Sequence, residues 1–325
     1  MKKLISVSLI LVMILSLFAG CGPVEPDTDA YRIAIVQQMD HSSMDEIRKA
    51  IEAQLDVRAT EPGVKVEYKV FNGQNDASVL NQIGAQVVSD GYDMIIPIAT
   101  LAAQCMVTAA EGTDIPVVFA AVSDPAFAGL ADLPNVTGTS DALNTPFILD
   151  MMRTVQPGIQ TVGLLYSNSE PNSQEPIRQA KEYLEANNIA YLEKTGNTTD
   201  EIIAAASSMV GRVDAVFTPT DNVVMGAEAA VAEILNEAGI AHYAGADSFV
   251  LSGAFATCGV NYTELGKKTA NMAMNILATG EVPPFHTMEG GIITVNTDTA
   301  KAVNVDYSAF SEMAGTVNEV TSEQE

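Results

Sequence analysis

The sequence has 325 residues, 47% of them hydrophobic, and sets 16 Lys and Arg against 41 Asp and Glu, a formal net charge of −25. So acidic a chain lacks the cationic surface that neutralises phosphates, which argues against nucleic-acid binding and against electrostatic docking on anionic lipid heads. The length allows one large or two medium domains, and three widely spaced His residues with three Cys give no clustered set for a metal.

The first twenty residues read as an address. Lys2 and Lys3 precede an apolar run from Leu4 to Leu17, interrupted by Ser6, Ser8 and Ser16, and Phe18-Ala19-Gly20-Cys21 closes it. A basic start, an apolar stretch and a small-residue cleavage site predict a secretory signal peptide over 1–20. The run falls short of the ~20 apolar residues that a membrane span needs. Cys21 stands where a bacterial lipobox carries its lipidated cysteine. Residues 21–30, with two prolines and three acids after the cysteine, cannot build a core and are expected to form a tether. The two remaining cysteines, Cys105 and Cys258, are expected as separate buried thiols.

Beyond the tether, short β-branched runs alternate with longer amphipathic stretches. Strands are predicted at 32–37, 64–71, 94–99, 116–122, 161–166, 190–194, 215–218, 241–245 and 254–258. Most are continuously apolar, the pattern of parallel strands buried on both faces. Helices are predicted at 43–57, 76–89, 101–110, 145–154, 173–186, 199–209, 222–238 and 264–278. Several open on Ser, Thr, Asn or Asp, the usual N-cap residues. Strand–helix–strand repetition of this kind means right-handed crossovers and doubly wound sheets.

The pattern occurs twice, first over 32–139 and again from 161 to 258, with IAIVQQ and VGLLYS opening the two sets. Two Rossmann-like lobes are therefore preferred over one wide sheet, with the polar break 140–144 between them. The helix beginning at Glu264 follows a completed second set, so it is expected to pack back on the first lobe.

In open α/β sheets, ligands sit beyond the carboxyl ends of the strands. The loops there offer hydroxyls, amides and acids at helix starts: Ser43, Thr100, Ser123 with Asp124, Asn168, Ser173, Asp221 with Asn222, and Asp247. Singly these are N-caps. As a set they describe a zwitterion site, in which helix N-termini attract a carboxylate and the acids pair with an ammonium. Enzymatic patterns are absent: no HExxH, CxxC, GxSxG, phosphate loop or GxGxxG occurs. A hydrolase built on His41 is the enzymatic alternative. Met44, Met151, Met152, Met225, Met272 and Met274 are read as core filler.

The stretches IAIVQQMDHSSMDEIRKAIEAQL, DMIIPIATLAAQ, IPVVFAAVSDPAFAGL, NVTGTSD, TVGLLYSNSEPNS, VDAVFTPTDNVV and GVNYTELGKKTANMA resemble, in order and spacing, the ABC-transporter substrate-binding family typified by a tryptophan-binding lipoprotein. The resemblance implies the type I periplasmic-binding fold: two Rossmann-like lobes with parallel sheets, joined by three hinge strands near 140–144, 259–262 and 290–293. It implies a first lobe of 31–140 plus about 261–290 and a second of 141–260 plus about 291–325. Carried over by position, the ligand shell is Ser43, Thr100, Ser123, Asp124, Asp141, Asn168, Ser173, Asp221, Asn222 and Asp247.

The implied function is an extracytoplasmic lipoprotein that captures an amino acid for an ABC permease. It would work as a monomer, without cofactor, metal or catalysis. Two alternatives stay open: a surface sensor feeding a signalling system, and the same clamp with another ligand. The chain has no Trp, and Gln37–His41 reads QQMDH where related sequences read Q-x-V-x-H. Tyr166, Phe127 and Tyr243 are the aromatics expected near the mouth.

Overall fold

The computed structural model describes residues 30–314 and 316–322; the predicted signal peptide, the lipidation candidate Cys21 and the tether up to residue 29 lie outside the described residues. In chain order the first set runs β1 (Tyr31–Gln37), α1 (Ser42–Ala59), β2 (Val66–Asn72), α2 (Ala77–Ser89), β3 (Met94–Ile98), α3 (Thr100–Ala110), β4 (Val117–Phe119) and β5 (Val136–Ser140). The second runs α4 (Thr145–Val155), β6 (Thr161–Tyr166), α5 (Pro171–Ala186), β7 (Ala190–Thr195), α6 (Thr199–Ser207), β8 (Ala215–Thr218), α7 (Asn222–Met225), α8 (Glu228–Glu237), β9 (Ala241–Ala244), α9 (Asp247–Leu251) and β10 (Ala256–Gly259). Then come α10 (Tyr262–Thr279), β11 (His286–Thr287), β12 (Ile292–Asn296), α11 (Thr297–Ala302), α12 (Phe310–Met313) and β13 (Val317–Val320).

Among the described residues the strands form two sheets, of six in the order β11-β5-β4-β3-β1-β2 and of seven in the order β13-β12-β10-β9-β8-β6-β7. Pairing is parallel throughout except between β10 and β12. This is the α/β class that the uninterrupted apolar strands predict. Ile33, Ala34, Ile35 and Val36 are all fully buried, because helices cover both faces of the sheet. The Asp76 carboxylate caps α2 through the N–H groups of Ser78 and Val79, and Asn144 caps α4 through that of Phe147.

The chain passes between the sheets three times: after β5, after β10 and after β11. Helix α10 returns to the first sheet, where it packs against α1, β3, β4 and β5. One apolar cluster runs from Ile33, Ile35 and Ile98 through Met44, Met225 and Tyr262 to Leu165 and Val216. It therefore joins the facing ends of the two sheets.

Two expectations need correction. The single helix predicted at 222–238 breaks at Gly226 and Ala227 into α7 and α8. The break turns Glu228 into the interior, where its Oε1 meets His242 Nδ1 at 3.0 Å while His242 Nε2 meets Thr218 Oγ1 at 2.8 Å. Strand β5, Val136–Ser140, is not among the predicted strands; its sequence VTGTS carries no apolar run, and it is held by pairing with β4. Cys105 and Cys258 are free and buried. Among the described residues no helix is long and apolar enough to cross a membrane.

Candidate ligand-binding site

The carboxyl ends of the two sheets face one another across a cavity. Its enclosed core is narrow, about 30 Å³, within about 390 Å³ of unfilled space that includes the mouth. From the first sheet's side it is lined by His41, Ser43, Met44 and Ile47 of the β1–α1 segment, by Ile98 and Ala99 at the end of β3, and by Ala121 and Ser123 after β4. From the second come Asn172, Thr220, Asp221, Asn222, Met225, Ala246 and Phe249, and Asp141 and Tyr262 stand at the crossings.

Two helix N-termini open here without side-chain caps. His41 precedes α1 and Ala99 precedes α3, and neither side chain bonds the first turn. Uncapped first-turn N–H groups carry partial positive charge and attract an anion. Gln38 Oε1 takes one of them, the N–H of Leu101, at 3.2 Å. Ala99 has φ 75° and ψ 166°, and Ala121 has φ 54°. Both are positions where an L residue is strained, and at both the backbone comes close to the cavity with only a methyl between.

Buried acids share the cavity with these helix ends. Asp221 is fully buried, and its Oδ2 accepts from the N–H of Ser167 (2.7 Å) and from Ser173 Oγ (2.6 Å), its Oδ1 from the N–H of Val224 (3.0 Å). Asp141 accepts from Ser123 Oγ and from the Tyr262 hydroxyl, both at 3.0 Å. Burial raises the pKa of both carboxyls against the pull of these bonds. Glu170, fully buried at the start of α5, is pushed up to about 8, first by burial and then by the nearby charge of Asp221. Asp247 is pushed up to about 6 by burial and by Glu46.

Among the described residues, four hydrogen-bond contacts of polar side chains around the cavity bridge the two sides. Gln38 Nε2 donates to Glu170 Oε1 at 2.9 Å, and His41 Nε2 meets Asn222 Oδ1 at 3.1 Å. Ser123 Oγ meets Thr220 Oγ1 at 3.2 Å, and the Ser43 and Ser248 hydroxyls bond one another.

Of the ten residues expected in the ligand shell, Ser43, Ser123, Asp141, Asp221 and Asn222 line the cavity together. Thr100 opens α3 beside Ala99, its hydroxyl buried without a partner, and Asp247 opens α9 with an unpartnered Oδ1. Ser173 touches the cavity only through Asp221. The structure does not bring the other two in: Asp124 caps its own loop at the N–H of Phe127, and exposed Asn168 donates to Thr195.

The expected ligand shell left out the apolar walls and also His41, Asn172 and Thr220, although these three stand in the loops that follow predicted strands. Met44 and Met225, read as core filler, are both core and cavity wall. The expected mouth aromatics lie elsewhere. Tyr243 is fully buried against Phe255, Tyr166 bonds Glu193, and Phe127 is exposed on its loop. Phe249 and Tyr262 take that place. His41, on which the hydrolase alternative was built, has its Nε2 against Asn222 Oδ1 at 3.1 Å.

Two parallel α/β halves, linked by three crossings and closed over a small polar-and-apolar cavity at their facing strand ends, define a solute-binding protein. The chain matches the family described as ABC transporter substrate binding protein over residues 32–316, and it belongs to that family. It is 32% identical to a tyrosine-binding protein of Clostridioides difficile, over 94% of this chain and 93% of that protein. Its fold is similar to the L-Trp complex of an ABC domain from Streptococcus pneumonia, with 27% identity and a TM-score of 0.81, covering 89% of this chain and 99% of the other. It is also similar to a ligand-free, open substrate-binding protein with adhesive properties from Clostridium difficile, with 31% identity and a TM-score of 0.67, covering 90% and 100%. The family's role is solute binding outside the cytoplasm for an ABC transporter, not catalysis.

Proposed function

We propose that this chain is the lipid-anchored receptor of an ABC importer, tethered at Cys21, and that it closes two lobes over a free aromatic amino acid. The observation that carries this reading is the cavity itself, where uncapped helix N-termini, buried carboxyls and the apolar walls Met44, Ile47, Ile98, Met225 and Phe249 meet. Such a site suits a carboxylate, an ammonium and a flat apolar side chain together. The tyrosine-binding relative and the L-Trp complex support the same class of ligand. The lobes are 31–140 with about 261–290, and 141–260 with about 291–325. They work as a monomeric clamp hinged at the three crossings. The higher likeness to the L-Trp complex than to the open protein, despite lower sequence identity, supports a closed arrangement here. The narrow cavity core requires the lobes to part before an amino acid enters.

The test is a thermal-shift screen of residues 22–325 against amino acids, sugars and small organic acids. A ligand that binds only the folded chain at 100 times its Kd adds ~2.7 kcal/mol, a rise of several degrees. The expected result is a shift with L-tyrosine or L-tryptophan and none with sugars; a shift with sugars alone overturns the amino-acid reading. Membrane association that survives Cys21→Ser overturns the lipid anchor.

A further inference from the structure

Around the cleft, four side-chain atoms are buried without a hydrogen-bond partner: His41 Nδ1, Thr100 Oγ1, Asn172 Oδ1 and Asp247 Oδ1. A buried polar atom left unpaired is costly, so such atoms in a binding site mark where a ligand completes the bonding. Two of the four, on His41 and Asn172, belong to cavity-lining residues, one from each side of the cleft.

Their neighbours fix what each offers. Asn172 Nδ2 donates to the carbonyl oxygen of Thr220 at 2.6 Å. Its amide cannot be turned over without setting two oxygens against each other, so Oδ1 is an acceptor. Asn222 Nδ2 donates to Glu170 Oε2 at 2.6 Å, and Asn222 Oδ1 therefore faces His41 Nε2 at 3.1 Å. With the Asn222 amide so placed, Nε2 carries the ring proton, which leaves a lone pair on Nδ1. Burial pushes His41 down to about 4, so the ring is neutral near pH 7. The two residues present acceptors to a cavity that also holds the carboxyls of Asp141 and Asp221. The oxygens of Asp221 are already taken by Ser167, Ser173 and Val224.

We infer that His41 and Asn172 are the ammonium subsite: Nδ1 and Oδ1 accept N–H bonds from the α-amino group of the bound amino acid, one from each lobe. This rests on the amino-acid reading above and adds what selects the ligand. Deaminated analogues of the same shape are rejected because they leave both acceptors unpaired. The amino group also pins the lobes together, since its bonds span the cleft.

The experiment is calorimetric titration with two ligand pairs, L-tyrosine with 3-(4-hydroxyphenyl)propionate and L-tryptophan with 3-(indol-3-yl)propionate. The proteins are the wild type, His41→Phe and Asn172→Leu, each first checked for a cooperative melt. Wild type is expected to prefer the amino acid at least 100-fold. His41→Phe and Asn172→Leu should each cut that preference about tenfold or more while leaving the deaminated partner within about threefold. His41→Phe and Asn172→Leu stand on opposite sides of the cleft, so either one alone tests the subsite if the other melts poorly. Equal losses for both members of a pair, or no loss, overturn the subsite and leave the amino-acid reading standing. Wild type that binds neither amino acid sinks that reading, and the subsite with it.

Discussion

Ala99 is an alanine where the backbone asks for glycine. With φ 75° and ψ 166° it occupies a region that costs an L residue about 1–3 kcal/mol, and its methyl lines the cavity. Ala99→Gly relieves that strain but adds about 0.5–1 kcal/mol of unfolded-chain entropy, so a net gain near 1 kcal/mol is expected. In a chain this size that is a rise of about 2–4 °C in melting temperature. Ala99→Val should do the reverse and also abolish the ligand-induced shift, since two more methyl groups enter a core of about 30 Å³. A lower melting temperature for Ala99→Gly would show that the surrounding loop, and not strain, governs this position. Nothing in IIPIAT marks the residue, because an alanine gives no sign of a positive φ. His41 and Asn172 were equally hard to rank. Each is an ordinary loop or helix-start residue until its partners Asn222 and Thr220, at least 48 positions away in sequence, are seen.

Helix α10 depends on one small residue. A Cβ built on Gly266 lies 2.7 Å from both the Ala50 Cβ and the Ile47 carbonyl oxygen, so α1 and α10 meet backbone to backbone and neither can give way cheaply. Gly266→Ala is expected to cost about 1–3 kcal/mol by overpacking, whereas the neighbouring Lys267→Ala should leave the melting temperature within about 1 °C. Equal melting temperatures for the two variants would mean that the helices separate freely. The return of α10 to the first sheet was foreseeable from chain order, as were the strands whose burial is unbroken, such as β1 and β3. Elements set by tertiary contacts were less legible. Strand β5 is polar and held by β4, and β12 and β13 extend the second sheet after the repeat has ended. The α7–α8 break answers to the buried pair Glu228–His242 and not to helix periodicity. At the site, loop position found the polar residues at strand ends but not which of them turn inward. Asp124 and Ser123 are adjacent, yet one caps a turn while the other lines the cavity.

In the clamp proposed here, closure would bury a carboxyl between the lobes, and this gives binding a pH dependence with a defined sign. Glu170 touches Gln38 across the cleft and Asn222 on its own side, with Asp221 nearby, and is raised from 4.5 to about 8 in the closed chain. Opening returns it to water and to an ordinary carboxyl pKa. Its folded value is raised, so its contribution to closure is full below the ordinary value and is lost as the pH rises through about 8. His41 runs the other way. Its closed value is lowered from 6.5 to about 4, so its contribution is full above 6.5 and is lost as the pH falls toward 4. Between about 4.5 and 6.5 the two oppose each other and affinity should be nearly level; from 6.5 to 8 only Glu170 changes, and affinity for the amino acid should fall about tenfold, near the limit of one proton per closure. Glu170→Gln, which holds no titrating proton, should flatten the fall while keeping the bridge to Gln38. Titrations with L-tyrosine at pH 5.5, 6.5, 7.2 and 8 separate the outcomes. Parallel curves for wild type and Glu170→Gln would mean that Glu170 keeps the same proton in open and closed forms, and that the pair with Gln38 is not opened when the ligand enters.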